Sequence, residues 1–334
     1  MQPAAETSPA PPRASIGVRR ALVLLNEKAG SVGPKAGAQL IDALKASGVE
    51  QFTIVDATRM SRRNFQRASQ FDAIIVLGGD GTARFAADLA PRDGPPLILL
   101  PGGTLNILPK ALYGDLAWPD AIKAVLERGV EKRLPVGRAN GESFYVAGLF
   151  GPTTLLALAR RSVREGKPLK ALQRFRHALN RSFTRSIRAR TGTGKMRKAE
   201  GIGVLLPSFS GGIETDSLEW VRLDAKHFVD LARVSLRAVT ADWRNDSTVE
   251  ISKCKTGDIY TSGIIPATLD GEPRTFLSYV RITFRTRSQS IGVRSGVALC
   301  RSYISPICIL AAKTRARSTR RPSMCAISSP MPSS

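Results

Sequence analysis

Histidine is nearly absent from this chain. The 334 residues hold two, His177 and His227, and the four cysteines (Cys254, Cys300, Cys308, Cys325) form no CxxC pair. That scarcity argues against a histidine-based hydrolase triad and leaves no zinc-ligand spacing. No apolar run reaches the roughly eighteen residues that a membrane-crossing helix needs. Met1 to Ser15 is rich in Pro and Ala and has no hydrophobic signal core, so residues 1–17 are expected to be a disordered leader. Irregular cysteines without an export signal point to a reducing, cytoplasmic setting. Acids are missing from one end: none follows Glu272, whereas eleven Lys or Arg do.

What is abundant is positive charge. A formal net charge of +23 implies attraction to a polyanion, whether nucleic acid, anionic lipid or a phosphorylated substrate, unless it reflects a proteome rich in arginine. Much of it lies in an insertion at 153–200 that reads as helical, with fourteen Lys or Arg against one acid, Glu165, between Arg160 and Lys198. Leu169, Leu172, Phe175, Leu179, Phe183 and Ile187 recur there at helical spacing. Such a stripe packs against its own domain, or rests as a basic amphipathic helix on an anionic membrane.

The chain is organised around Asp72-Ala73-Ile74-Ile75-Val76-Leu77-Gly78-Gly79-Asp80-Gly81-Thr82, an apolar strand that empties into a glycine turn opening a helix over Ala83 to Leu89. Glycines let backbone amides approach an anion, and the helix N-terminus adds partial positive charge. About twenty residues on, Leu97 to Leu100 ends in Pro101-Gly102-Gly103-Thr104-Leu105-Asn106. Two such turns at the carboxyl edge of one parallel sheet make a nucleotide site. Ala21 to Leu25 and Phe52 to Val55 read as further strands, with helices over Gly37 to Ser47, Ser61 to Gln70 and Asp115 to Arg128. The expected fold is an α/β N-terminal domain with a parallel sheet, residues 18–133, followed by a β-rich, sandwich-like domain over 134–284. In the latter, segments such as Val136 to Arg138, Ser143 to Leu149, Ile202 to Pro207, Trp220 to Leu223, Thr248 to Ile251 and Phe276 to Phe284 are short and turn-bounded. Residues 285–334 keep neither periodicity; a disordered basic tail and a terminus read out of frame both account for them.

Gly78-Gly79-Asp80-Gly81-Thr82 followed by Gly103-Thr104-x-Asn106 resembles the diacylglycerol kinase catalytic domain family, which includes bacterial lipid kinases and sphingosine kinases and is related to NAD kinases. The resemblance runs from about Val18 to Phe284 and implies the NAD-kinase-like α/β fold. Asn26-Glu27-Lys28-Ala29-Gly30 stands where the family has an Asn-Pro-x-Ser/Ala-Gly turn, and Thr58 where a nucleotide-contacting threonine follows the second strand. After the glycine turn the family commonly has Leu-Asn-Glu; here it is Ala83-Arg84-Phe85. The family's Mg²⁺-binding Asp-Gly-Leu turn reads Thr215-Asp216-Ser217-Leu218, and its Asp-Gly-Glu, whose glutamate is proposed as general base, reads Asp270-Gly271-Glu272.

The resemblance therefore implies an ATP- and Mg²⁺-dependent lipid kinase. Asn26, Lys28, Gly30, Thr58, Gly78, Gly79, Asp80, Gly81, Thr82, Thr104 and Asn106 would hold the nucleotide. Asp80 and Asp216 would organise Mg²⁺, although a carboxylate at Asp80 could instead accept hydrogen bonds from the loop; Asp80 would also serve catalysis, and Glu272 would activate the lipid hydroxyl. The implied setting is the cytoplasm, peripheral at the inner membrane face, with a lipid substrate at an anionic surface and room for a homodimer. No specific nucleic-acid partner is expected, since no RNP, zinc-finger or helix-turn-helix signature is present. Two other readings remain: a kinase of the same fold acting on a soluble acceptor such as NAD, and a degenerate nucleotide- or nucleic-acid-binding protein.

Overall fold

The computed structural model describes residues 17–151, 154, 187–207, 216–224 and 243–285, with the backbone of 290–294. Its first sheet is built from β1 (Arg20–Leu25), β2 (Gln51–Asp56), β3 (Ala73–Gly78), β4 (Leu97–Pro101) and β5 (Gly129–Arg133). Helices α1 (Ala36–Ala46), α2 (Arg62–Phe65), α3 (Asp80–Leu89), α4 (Ile107–Tyr113) and α5 (Trp118–Arg128) accompany them. Every residue of β3 and β4 is buried, as continuous apolar runs require when a parallel sheet is covered on both faces. β2 alternates little and is largely exposed because it lies at the sheet edge.

Ser61 to Gln70 is not one helix. It forms the single turn α2 and a separate 3₁₀ turn over Ala68–Gln70, because only Phe65 and Ala68 of this polar stretch bury against the core.

The second domain is a sandwich. Its strands are β6 (Val136–Ala139), β7 (Glu142–Phe144), β8 (Ala147–Phe150), β9 (Ile187–Thr191), β10 (Arg197–Ala199), β11 (Gly201–Leu205), β12 (Leu218–Leu223), β13 (Val249–Cys254), β14 (Thr256–Tyr260), β15 (Ile265–Leu269), β16 (Glu272–Phe276) and β17 (Tyr279–Arg285). One sheet runs β10-β9-β14-β17-β6-β7 and the other β13-β12-β11-β8-β15-β16. Ile187, Ala189, Ile259, Val280 and Ile282 are buried on one face of the former sheet, and Trp220, Val204 and Leu269 are buried in the latter. Gly257 is required where the sheets meet, since a Cβ there would collide with the Trp220 ring.

Three further details differ from the sequence expectations. Ser143 to Leu149 is two strands, β7 and β8, in different sheets, because Tyr145 and Val146 carry the chain across the core between them. The described end of the basic insertion is strand: from Ile187 on, buried apolar positions alternate with arginines, a period of two. Its remaining stretch at 155–186, with the Leu169 to Phe183 stripe, lies outside the described residues, as do the leader up to residue 16 and the chain beyond 294. Finally β18 (Ser290–Arg294), from the segment assigned to the tail, enters the first sheet between β4 and β5. The completed order is β2-β1-β3-β4-β18-β5.

Candidate active site

Register places the candidate residues. β1 pairs with β3 so that Leu25 faces Leu77, and β3 with β4 so that Gly78 faces Pro101. Parallel strands share their carboxyl ends, so the turns beginning at Asn26, Gly79 and Gly102 emerge side by side. The Asn26 amide donates to the Leu77 carbonyl at 2.8 Å, and its Nδ2 to Thr82 Oγ1 at 3.1 Å. Ser31, which the motif comparison passed over, closes the other side: its amide donates to the Gly102 carbonyl at 2.9 Å and its hydroxyl to that of Gly103 at 3.1 Å.

Glycine is needed here because the turns touch backbone to backbone. A Cβ on Gly103 would fall 2.7 Å from Gly79 Cα, and one on Gly30 would fall 2.8 Å from Thr104 Oγ1. Gly79 is the N-cap of α3, and the first amides of a helix have no intrahelical carbonyl to bond. They form a ready anion site at the mouth of the turn.

Asp80 is turned away from that mouth. Its Oδ1 accepts from the Ile107 amide at 2.6 Å, with the Asn106 and Leu108 amides also bonding the carboxylate, so it caps the start of α4. Burial, with a lesser contribution from the neighbouring Asp270 charge, pushes it up to about 7 despite these donors. Asn106, with φ of 52°, accepts from the Gly103 amide at 2.6 Å and donates back to the Gly103 carbonyl at 2.9 Å. Its side chain locks the second turn.

The second domain supplies the opposite wall. Asp270 and Gly271 form a two-residue hairpin turn with φ of 48° and 81° between β15 and β16. The Asp270 carboxylate is buried and accepts from the amides of Tyr145, Val146 and Ala147 at 2.7, 2.8 and 3.0 Å. Burial pushes it up to about 6, against those three donors and the nearby Arg84 charge. Gly271 rests on Leu105 and Ile107. This seats Glu272 against the first glycine turn: a Cβ on Gly81 would lie 4.0 Å from Glu272 Cδ.

The joint between the domains is a charged stripe on α3. Asp80, Arg84 and Asp88 recur at i, i+4 and i+8 and therefore share a face. Arg84 Nη1 lies 3.5 Å from Glu142 Oε2, and its buried Nε has no hydrogen-bond partner among the described residues. Asp88 accepts from the Tyr145 hydroxyl at 3.2 Å, and Arg274 reaches Glu142 at 2.6 Å. Sequence reasoning missed this joint, although the four-residue spacing was a readable signal; Tyr145 and Glu142 offered none.

Thus Asn26, Gly30, Gly78, Gly79, Asp80, Gly81, Thr82, Thr104, Asn106 and Glu272 come together. Lys28 and Thr58 sit on the outer flank of the same edge, where Thr58 donates both its amide and its hydroxyl to Asp56 Oδ1 at 2.8 and 2.7 Å. Asp216 is not brought in. It precedes β12, four strands from β16, roughly 19 Å at about 4.8 Å per strand.

Mg²⁺ demands about six oxygens in near-octahedral array. Among the described residues no three acidic, His or Cys side chains converge to hold a metal ion, and the Asp80 carboxylate faces amide donors. Asp80 and Asp216 do not fit one shared ion, contrary to the expectation drawn from the motifs.

Residues 20–139 match the diacylglycerol kinase catalytic domain family, so the resemblance carried by the glycine turns holds over that segment. A protein of Streptococcus pneumoniae serotype 4 (strain ATCC BAA-334 / TIGR4), named "Putative lipid kinase", is 30% identical over 138 residues, 38% of this chain and 45% of that protein. The match therefore spans less than half of that relative's length. The crystal structure of a diacylglycerol kinase from Bacillus anthracis str. Sterne superposes with a TM-score of 0.58 and 18% identity, covering 84% of this chain and 98% of that one. At that identity it is the fold that is shared: a parallel α/β domain followed by an antiparallel β-rich one.

Proposed function

We propose that this chain is a lipid kinase that transfers the γ-phosphoryl group of ATP to a lipid hydroxyl at an anionic membrane surface. The observation that carries the reading is the seat of Glu272, held by the Asp270–Gly271 turn against Gly81 at the N-terminus of α3. A nucleotide with its phosphates on the amides of the two glycine turns would present its terminal phosphate to that carboxylate. Glu272 would then accept the proton of the attacking hydroxyl as the phosphoryl group moves.

Most of the remaining work is positioning. Thr104 and the loop amides orient the nucleotide, while Asp80 and Asn106 hold the two turns in register without touching it. Phosphoryl transfer spreads negative charge over the phosphate oxygens, which the helix N-terminus is placed to stabilise. The acceptor would enter between the domains.

The test is ATP-dependent labelling of a mixed lipid extract by the purified chain, with Glu272→Gln beside it. A labelled lipid that vanishes in the variant supports the reading, and chromatography names the acceptor. Labelling of a soluble acceptor alone, with none in the lipid fraction, would replace it with a same-fold kinase of soluble substrates. No helix of the described residues is long and apolar enough to cross a membrane.

A further inference from the structure

The two most exposed large hydrophobic side chains among the described residues lie together, far from the candidate active site. Leu277 is 79% exposed and Ile264 62%. The β15–β16 pairing ends at Ile265 opposite Phe276, so Ile264 and Leu277 are the next step in register. Both stand where the chain crosses between the two sheets of the sandwich, one just after β14 and the other just before β17, with the Thr261 amide bonded to the Ser278 carbonyl.

Immediately behind this tip, Tyr260 and Tyr279 pair across β14 and β17 with ring centroids 4.8 Å apart. The same outward face of that sheet carries Lys198, Arg188, Arg190 and Arg281, since Lys198 pairs with Arg188, Arg188 with Tyr260, and Arg190 and Arg281 with Asp258. Asp258 is its only acid among these rows. It is buried and fixes the cluster, accepting from Tyr279 Oη at 2.8 Å and Arg190 Nε at 3.0 Å, with Arg281 Nη1 at 4.0 Å. No acid occurs at 259–269 or anywhere after Glu272.

An apolar tip, then a tyrosine pair, then a band of arginine is the order in which a bilayer changes from acyl chains to headgroups to anionic surface. We infer that this end of the sandwich is a docking surface for an anionic bilayer, with Leu277 and Ile264 entering the acyl boundary and Arg188, Arg190 and Arg281 meeting lipid phosphates. It anchors the second domain at the far end of the β15–β16 hairpin, roughly 17 Å from the Glu272 turn at about 3.4 Å per residue. The anchor and the catalytic cleft are therefore separable. A nucleic acid would use the arginines but has no need of two exposed aliphatic side chains.

The inference shares its membrane partner with the lipid-kinase reading, but its test uses neither ATP nor an acceptor. The full-length chain is sedimented with vesicles of equal parts phosphatidylglycerol and phosphatidylcholine, and with vesicles of phosphatidylcholine alone. Wild type should partition onto the anionic vesicles. The double variant Ile264→Asp with Leu277→Asp should bind about tenfold or more weakly, with unchanged melting temperature. Arg188→Glu should weaken binding about fivefold or more and leave what binding remains less sensitive to salt.

A second variant guards against misfolding of the first. Leu277→Trp should show emission shifted to the blue on the same vesicles and quenched by brominated lipid. Unchanged partition of the double aspartate variant, or tryptophan emission insensitive to vesicles, overturns the proposal. So does binding that ignores the tip and is abolished by competing duplex DNA, which would assign the face to nucleic acid.

Discussion

Two turns of the second domain share nearly one sequence and have different fates. Asn140-Gly141-Glu142 joins β6 to β7, and Asp270-Gly271-Glu272 joins β15 to β16. Both put their first two residues at positive φ, 47° and 94° in one and 48° and 81° in the other, the geometry of the tightest hairpins. Asn140 stays at the surface and uses its amide locally, donating to the Tyr279 carbonyl at 2.9 Å and accepting from the Arg281 amide at 2.8 Å. Asp270 is buried and gathers three amides of the strand crossover. Glu142 is taken up by Arg84 and Arg274, whereas Glu272 makes no ion pair with a described residue and faces the glycine turn. Turn chemistry sets the backbone; what packs against the turn decides whether its carboxylates are structural or available for chemistry.

The contrast is open to attack at each of the three positions. The largest effect is expected at the third. Glu272→Gln should lower phosphoryl transfer by about 10²–10⁴-fold, while Glu142→Gln, measured in the same labelling assay, should stay within about threefold. Comparable losses in both would erase the distinction between the turns.

At the second position, alanine strains either turn because φ is positive, about 1 kcal/mol. A Cβ on Gly141 meets nothing within 4 Å, but one on Gly271 would lie 2.5 Å from Ile107 Cδ1. Gly271→Ala should therefore cost about 2–4 kcal/mol in urea unfolding, against about 1 for Gly141→Ala.

The first position is expected to show less in stability and more in pH. Asp270→Asn replaces an acceptor of three amides with a group that can satisfy fewer of them, and should cost about 2–3 kcal/mol near pH 4 and less near pH 8, where the wild-type carboxyl has lost its contribution. Asn140→Asp loses one exposed donor and should cost under about 1 kcal/mol. Asp270 and Asp80 are raised to about 6 and about 7 in the fold, above the ordinary aspartate value of 3.8. The folded state thus holds protons that the unfolded chain has released. Their contribution is fully present below about pH 4 and is lost as pH rises through those folded values. The Asp270→Asn variant should flatten that part of the melting-temperature profile between pH 4 and 7. Asn140→Asp should leave it alone.

The smallest change is expected from Arg84→Met. An apolar chain of similar length fills the same space and removes a guanidinium nitrogen that has no partner among the described residues, so stability near pH 4 should change by less than about 1 kcal/mol. Above pH 6 the loss of its charge beside Asp270 should make the variant fall away faster than wild type, read from the same melting series. Parallel curves would show that Arg84 serves Glu142 alone.

How much of this was legible varies with the range of the interaction. The glycine turns and the strands feeding them could be read directly, because buried parallel strands and tight turns demand particular residue types over short stretches. Ser61 to Gln70 failed as a single helix for the opposite reason: its polar sequence has no strong local preference, and packing divided it. The motif comparison named Asp80 and Asn106 as nucleotide contacts, but their roles as acceptors for α4 and Gly103 depend on where the next loop returns. Asp216 was grouped with Asp80 by the resemblance but is not brought to it, since strand order sets β12 four strands from β16. β18 could not be placed from five residues whose partners lie about 160–190 positions earlier in the chain.

By itself the sequence determined the α/β-then-β order, the two glycine turns and the excess of positive charge, all consequences of local sterics and composition. Only the tertiary structure decided which carboxylate faces the turn, which are consumed as acceptors, and that Ile264 and Leu277 meet beside a tyrosine pair. Those outcomes depend on burial and on sheet register, which bring residues from separate segments within hydrogen-bond distance, and no local pattern encodes them.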